Sequence, residues 1–138
     1  MPSRHRSREQ ALQILYLCDM RQGAVEESLD AFYHSLGSGD DEPAPVPDPF
    51  TDQLVRGAFE QRDEIDRLIQ AHSENWRLDR MPVVDRNILR LAVYELMRQK
   101  TPHAVVIDEA LELARRFSNE ESVAFVNGVL DAVRRGMS

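Results

Sequence analysis

The sequence predicts an all-α domain of about seven helices, packed as two small helical bundles. Three observations carry that expectation. Apolar residues recur at three- and four-residue spacing through most of the chain, the period of a helix with one buried face. No stretch reads convincingly as a strand, and no internal repeat is visible. Prolines, glycines and short polar side chains stand at the joints between periodic segments, where helices start and stop. With 138 residues the chain is one domain's worth, able to bury roughly two-thirds of its unfolded surface. The two halves are expected at about residues 1–77 and 78–138, with a shared core.

Taken in order, the first helix runs from about Ser7 to Arg21, with Ala11, Leu12, Leu15, Tyr16 and Cys18 at helical spacing and Gly23 as its stop. Val25, Leu29, Phe32, Tyr33 and Leu36 mark a short second helix ending at Gly37. The stretch Gly37 to Pro49 holds four of the seven prolines and the acidic run Asp40, Asp41, Glu42. It cannot continue a helix and has little to bury, so it reads as a mobile, solvated acidic loop. Helical spacing resumes with Phe50, Leu54, Val55, Ala58 and Phe59, then Ile65, Leu68 and Ile69; it fits one long helix or, the favoured reading, two shorter ones with Asp63 capping the second. Pro82 opens a long helix through Lys100, whose core residues are Ile88, Leu89, Ala92, Leu96 and Met97. Thr101 and Pro102 read as the next start, a hydroxyl at the cap followed by a ring where no amide donor is needed. That helix carries Val106, Ile107, Ala110, Leu111, Ala114 and Phe117. Ser118 and Glu121 have capping-box spacing ahead of the last helix. Its buried stripe is Val123, Val126, Leu130 and Val133, and Gly136 ends it.

Asp and Glu outnumber Lys and Arg by 24 to 17, a formal net charge of −7. That balance excludes a general polyanion binder, whose field must be positive overall. It leaves room for a small basic patch and suits a basic protein partner. No apolar run approaches the ~18 residues of a membrane span, and no signal-peptide segment follows the arginine-rich start. A soluble cytoplasmic protein is expected. Catalysis and metal binding find no support. Cys18 is the only cysteine, and its place near the apolar side of a helix reads as structural burial. His5, His34, His72 and His103 are scattered, and no Glu precedes a His by three residues as in di-metal bundles. A glycine-rich phosphate loop is absent, so no cofactor is expected. Glu109 and Glu112, with Arg115 and Arg116 nearby, read as surface ion pairs.

The binding candidates lie elsewhere. Arg4, His5, Arg6 and Arg8 gather cations at the start of the first helix, where the helix dipole opposes them. Grouped guanidiniums make bidentate contacts to phosphates; a solvated basic tail is the equal alternative. Asn127 and Gly128 place two poor helix formers in the middle of the last helix, and Gly128 is expected to admit a neighbouring helix. Phe125 lies about 100° round from the buried stripe. It either fills a groove between helices, the commoner use, or stacks on an RNA base with Asn127 hydrogen-bonding beside it.

Four blocks in the same order resemble the NusB family of bacterial transcription antitermination factors. They are the arginine-rich start from Arg4 to Tyr16, the run Asp85-Arg86-Asn87-Ile88-Leu89-Arg90-Leu91-Ala92-Val93-Tyr94-Glu95-Leu96, the segment of Thr101-Pro102 with Ile107-Asp108-Glu109-Ala110 and Leu113-Ala114, and Phe125-Val126-Asn127-Gly128-Val129-Leu130-Asp131. The resemblance implies a binding module that pairs with NusE, the small-subunit ribosomal protein S-ten. The pair is expected to recognise boxA RNA in the leaders of ribosomal RNA operons. Other Nus factors and RNA polymerase follow indirectly, with read-through of terminators as the outcome. By the same resemblance Arg4, His5, Arg6 and Arg8 contact RNA, with Phe125 and Asn127 on the same face. Tyr16, Asp79 and Asp85 match partner-facing positions, although Tyr16 sits so close to Leu12 and Leu15 that burial is equally open. Trp76, with Leu78 and Arg80, resembles the lead-in to the central helix and is expected to anchor the core.

Departures also matter. His5 stands where family members often carry Arg, which implies weaker RNA binding or a dependence on pH near about 6 to 7. The acidic loop is longer and richer in proline than the resemblance needs. Three arginines on phosphates predict a log-log salt slope near −2, roughly an 18-fold loss from about 50 to 200 mM salt. Two other classes compete. NusB-like domains also precede RNA methyltransferase domains, but no methyltransferase chemistry is expected within this chain. A helical protein that self-associates, with no specific RNA role, is the remaining alternative, and homodimers are possible under either reading.

Overall fold

The computed structural model describes residues 3–36 and 48–137. Among them are seven α-helices: α1 Arg4–Arg21, α2 Val25–Leu36, α3 Pro49–Glu60, α4 Arg62–Ala71, α5 Val83–Arg98, α6 His103–Phe117 and α7 Glu120–Gly136. A single 3-10 turn, Leu78–Arg80, leads into α5. No helix among the described residues is long and apolar enough to cross a membrane. The expected acidic loop at 37–47 lies outside the described residues, whereas Asp48 and Pro49 belong to the start of α3.

Local chemistry sets the helix ends, and in several places it differs from the sequence expectation. The first helix begins three residues earlier than Ser7, because the Ser3 hydroxyl accepts the Arg6 amide at 3.1 Å. Its arginines are therefore helical from the first turn. It stops at Gln22, which takes the left-handed conformation at φ 54° and returns its N–H to the Cys18 carbonyl. Asp48 caps α3 with Pro49 behind it, accepting the Thr51 amide at 3.1 Å. The start of α4 uses Gln61, not Asp63, and has no side-chain cap. Pro102, not Thr101, is the cap of α6; its extended backbone lets its carbonyl accept the Val105 and Val106 amides. Asn119 rather than Ser118 caps α7, accepting the Ser122 amide at 2.8 Å. Ser118 is occupied elsewhere, donating to Asp85 at 2.9 Å.

Two helices sit at the centre. Almost every residue of α5 from Ile88 to Leu96 is buried, and α5 packs against α1, α3, α4, α6 and α7. Helix α1 packs on α2, α3 and α5 and meets α6 through His5–Glu109 and Glu9–Arg116; it buries Ser7, Arg8 and Glu9 as well as Ala11, Leu12, Ile14 and Leu15. Peripheral helices α3, α6 and α7 show the one-sided apolar stripe of a helix facing water on its other side. The core is one continuous cluster from Leu12 and Leu54 across to Leu113 and Leu130. At the 3-10 turn, where the two halves were expected to meet, no residue is buried and Leu78 packs against this core as a partly buried side chain.

Polar groups also tie the elements together. Asp19 at the end of α1 accepts Arg86 Nε at 2.6 Å, Asn87 at 2.9 Å and Arg90 at 2.9 Å, and Arg90 reaches on to Asp66 of α4 at 2.8 Å. Those hydrogen bonds hold the Asp19 carboxyl below its ordinary pKa even though burial opposes them. Gly57 of α3 lies under Tyr94, whose hydroxyl is 2.0 Å from where a Cβ would stand. Gly128, by contrast, has nothing within 4 Å of a built Cβ. The expected close approach of a neighbouring helix there is not what this residue serves in the isolated chain.

Candidate nucleic-acid interface

The arginine-rich turn is a built corner rather than a loose tail. Arg4 is exposed, and its guanidinium lies 3.8 Å from the centre of the Phe50 ring of α3. Asp48 explains why Phe50 is there. It caps α3 and accepts the buried Ser7 hydroxyl, fixing the start of α3 against the first turn of α1. Arg6 is exposed and touches Glu9 at 3.3 Å.

His5 faces two carboxylates at once, Glu109 Oε2 at 2.7 Å from Nδ1 and Glu9 Oε1 at 2.9 Å from Nε2. A neutral imidazole donates from only one nitrogen, so this geometry favours the cation. The hydrogen bond to Glu109 accordingly raises the His5 pKa above its ordinary 6.5, with the two carboxylate charges adding and burial opposing. Glu9 is 2% exposed and also receives Arg116 of α6 at 3.0 Å. One buried carboxylate thus gathers His5, Arg6 and Arg116.

Arg8 departs from the expectation that it contacts RNA. It is 4% exposed and makes two parallel 2.8 Å bonds to Glu95 of α5. The bidentate pair ties up the Nε–H and one Nη2–H, so Arg8 braces α1 on α5, with its guanidinium at the floor of the cavity that Arg4 and Phe50 also line. The cations that reach the surface of the corner are Arg4, Arg6 and Arg116, with His5 half-buried among them. Sequence reading missed Arg116, whose partner is 107 residues away in the chain. The Glu9 spacing of four from His5 was the one local signal for this braced arrangement.

Phe125 and Asn127 have different neighbours. Phe125 is half-buried and meets Trp76 edge-on, with ring centres 6.1 Å apart, while Asn127 is exposed. Trp76 is 54% exposed and is no core anchor. Its backbone carbonyl is pinned by Gln70 at 2.8 Å in the loop after α4, which leaves the ring outside the packed helices. The pair joins exposed Trp76 to half-buried Phe125 of α7, whereas Arg4 and Arg8 lie over Phe50.

Of the three partner-facing candidates, Tyr16 is 38% exposed at the lip of an apolar groove of about 310 Å³ formed with Leu12, Phe32, Val84 and Phe117. Asp79 is exposed beside Arg77. Asp85 is buried, accepting the Ser118 and Ser122 hydroxyls at 2.9 and 2.7 Å. It cannot present its carboxylate to a partner in this conformation; it anchors the α6–α7 turn next to Phe117 and so shapes the groove. Cys18 is buried, and burial pushes its thiol pKa up. Among the described residues no three His, Cys, Asp or Glu side chains converge as a metal-ligand set.

Comparison with known proteins places this arrangement in a family. The NusB family profile matches residues 5–135. The transcription antitermination protein NusB of Solibacter usitatus is 59% identical over 137 residues, covering 99% of this chain and 92% of that protein. Its counterpart in Myxococcus xanthus is 47% identical, covering 96% and 95%. Solved structures agree in fold. T. maritima NusB superposes with a TM-score of 0.80 at 34% identity, covering 97% of this chain and 92% of that one. A structure of the antitermination factors NusB and NusE in complex with double-stranded RNA gives 0.80 at 28% identity, covering 98% and 99%. The chain belongs to the NusB family.

Proposed function

We propose that this protein is a transcription antitermination factor, an RNA-binding subunit and not an enzyme, that pairs with a NusE-type basic ribosomal protein to hold boxA RNA from ribosomal RNA operon leaders. The observation that carries this reading is the braced basic corner: exposed Arg4 on the Phe50 ring and exposed Arg6 on buried Glu9, above the buried Arg8–Glu95 pair. In a chain of net charge −7, Arg8 and His5 serve the fold through Glu95, Glu9 and Glu109, while Arg4 has no carboxylate partner among the described residues and stands exposed against the dipole of the first helix. The corner supplies phosphate contacts, and the Trp76–Phe125 pair with Asn127 supplies base stacking and an amide. The apolar groove at Tyr16 is the docking surface for the ribosomal partner. An acidic body attracts that basic protein, and the partner's charge enlarges the positive footprint that RNA meets. Relatives named for antitermination, and a solved NusB–NusE complex with RNA, support the assignment.

The test is fluorescence anisotropy of a short boxA-like RNA, with and without the cognate S-ten protein, against a scrambled RNA. Tight, sequence-dependent binding that needs the partner is the expected result. Equal, weak binding to both RNAs regardless of partner defeats the proposal. In that case a concentration-dependent homodimer through the Tyr16 groove becomes the better description.

A further inference from the structure

The basic surface does not stop at the corner. On one side of the α5–α6 turn a cavity of about 550 Å³ is lined by Arg4, Arg8, Phe50, Arg98, Lys100 and Thr101. Its two carboxylates are already engaged, Glu95 by Arg8 and Glu109 by His5. On the other side a second cavity of about 320 Å³ is lined by Gln99, His103, Arg134, Arg135 and Met137, with no acidic residue in its wall. The turn between them is shaped by Gln99, which takes the left-handed conformation at φ 56°. That backbone sends Arg98 and Lys100 into the first cavity and Gln99 and His103 into the second. The nearest carboxylate to Arg134 is Asp131, which Arg134 and Arg135 share at 3.3 and 2.9 Å. In an otherwise acidic protein, cations follow one another from the first turn of α1, over the α5–α6 turn, to the end of α7.

We infer that this belt is a phosphate track: Lys100, Arg98 and Arg134 carry the backbone of the RNA segment that continues beyond the element held at the arginine corner. The inference rests on the RNA-binding reading above and names a second part of that surface. A single-stranded polyanion fits it better than an acidic peptide does. The cations are spaced along a path that starts at the proposed RNA site, and the wall includes an aromatic face at Phe50 already partnered with a guanidinium. The contacts are to phosphates, so the track adds affinity and salt dependence without reading sequence.

The experiment compares three RNAs bound to the full chain with its S-ten partner: the short boxA-like element, and the same element extended by several nucleotides of arbitrary sequence at its 5′ end or at its 3′ end. Wild type is expected to bind one of the extended RNAs more tightly and with a steeper salt slope. Lys100→Glu and Arg134→Gln lie at the surface, and circular dichroism and thermal melting check that each remains folded. Each is expected to flatten the slope for the extended RNA by about 0.7, so that the advantage of wild type shrinks about 2.6-fold between about 50 and 200 mM salt. Equal slopes for wild type and both variants on the extended RNA overturn the track while leaving corner binding intact. Variants that bind RNA normally but lose the ribosomal protein also overturn it, in favour of a protein-docking surface. Failure of wild type to bind the short element with its partner defeats the RNA reading itself, and the track with it.

Discussion

The sharpest consequence of the structure concerns Arg8, which sequence places among the RNA contacts and the fold places beneath them. Replacing it by Met removes one half of an ion pair whose members are each 5% exposed and joined by two 2.8 Å bonds. Glu95 is then left buried without its partner. The expected cost is about 3–5 kcal/mol, since breaking a buried pair strands a charge. For 138 residues, an unfolding entropy of about 2.1 cal/mol/K per residue converts this to a Tm lower by roughly 10–17 °C. The double variant Arg8→Met/Glu95→Leu is expected to recover to within about 2 kcal/mol of wild type, because a well-packed apolar pair replaces a buried ionic one with little loss. Urea and thermal unfolding of the wild type, both singles and the double form a cycle that isolates the coupling. Since Arg4 and Arg6 remain, the refolded double variant keeps most of its RNA affinity. If Arg8→Met melts within about 3 °C of wild type yet loses RNA binding tenfold or more, Arg8 is a direct contact and the bracing role is wrong.

Three further predictions test separate parts of the molecule. The raised pKa of His5 means that its stabilising contribution is complete below about pH 6.5, its unfolded value, and fades as pH rises through the higher folded value; RNA affinity is expected to fall over the same rise, and His5→Gln should flatten the profile. Gly57→Ala places a Cβ 2.0 Å from the buried Tyr94 hydroxyl, so urea unfolding should show a loss of about 1–3 kcal/mol from overpacking, largely relieved by adding Tyr94→Leu. Gly128→Ala meets nothing within 4 Å and should stabilise the free chain by about 0.5–1 kcal/mol in the same assay through helix propensity, while a destabilised free chain would show that this face is packed in solution.

Much of the fold was legible because peripheral helices advertise themselves: one apolar face, periodic and complete, as in Val106, Ala110 and Ala114 or Val126, Leu130 and Val133. The central helices were harder. In α1 the residues Ser7, Arg8 and Glu9 are all buried, and no hydrophobic pattern marks a buried polar residue whose partner is 41 or 87 positions away. Caps were misplaced by one residue at α6 and α7 for a related reason. Thr101 and Ser118 are chemically suited to capping, but Ser118 is drawn off by Asp85, a tertiary partner that local sequence does not reveal. Trp76 shows the opposite failure. A large aromatic is usually an anchor, and only the backbone path through Gln70 and Ser73 decides that this one stays outside. Within the candidate site, the cations Arg4 and Arg6 were readable from composition, whereas the division between exposed contacts and a buried brace needed the packing of α1 on α3 and α5.

The most direct test of the corner as an RNA site is the salt dependence of boxA-like RNA binding by the full chain with its S-ten partner, for wild type and Arg4→Gln/Arg6→Gln. With Arg8 buried against Glu95, two phosphate-contacting arginines make the slope of wild type steeper than that of the double variant by about 1.4, equivalent to roughly a sevenfold difference in affinity loss between about 50 and 200 mM salt. Identical slopes for the two proteins would contradict the assignment of the corner to phosphate binding.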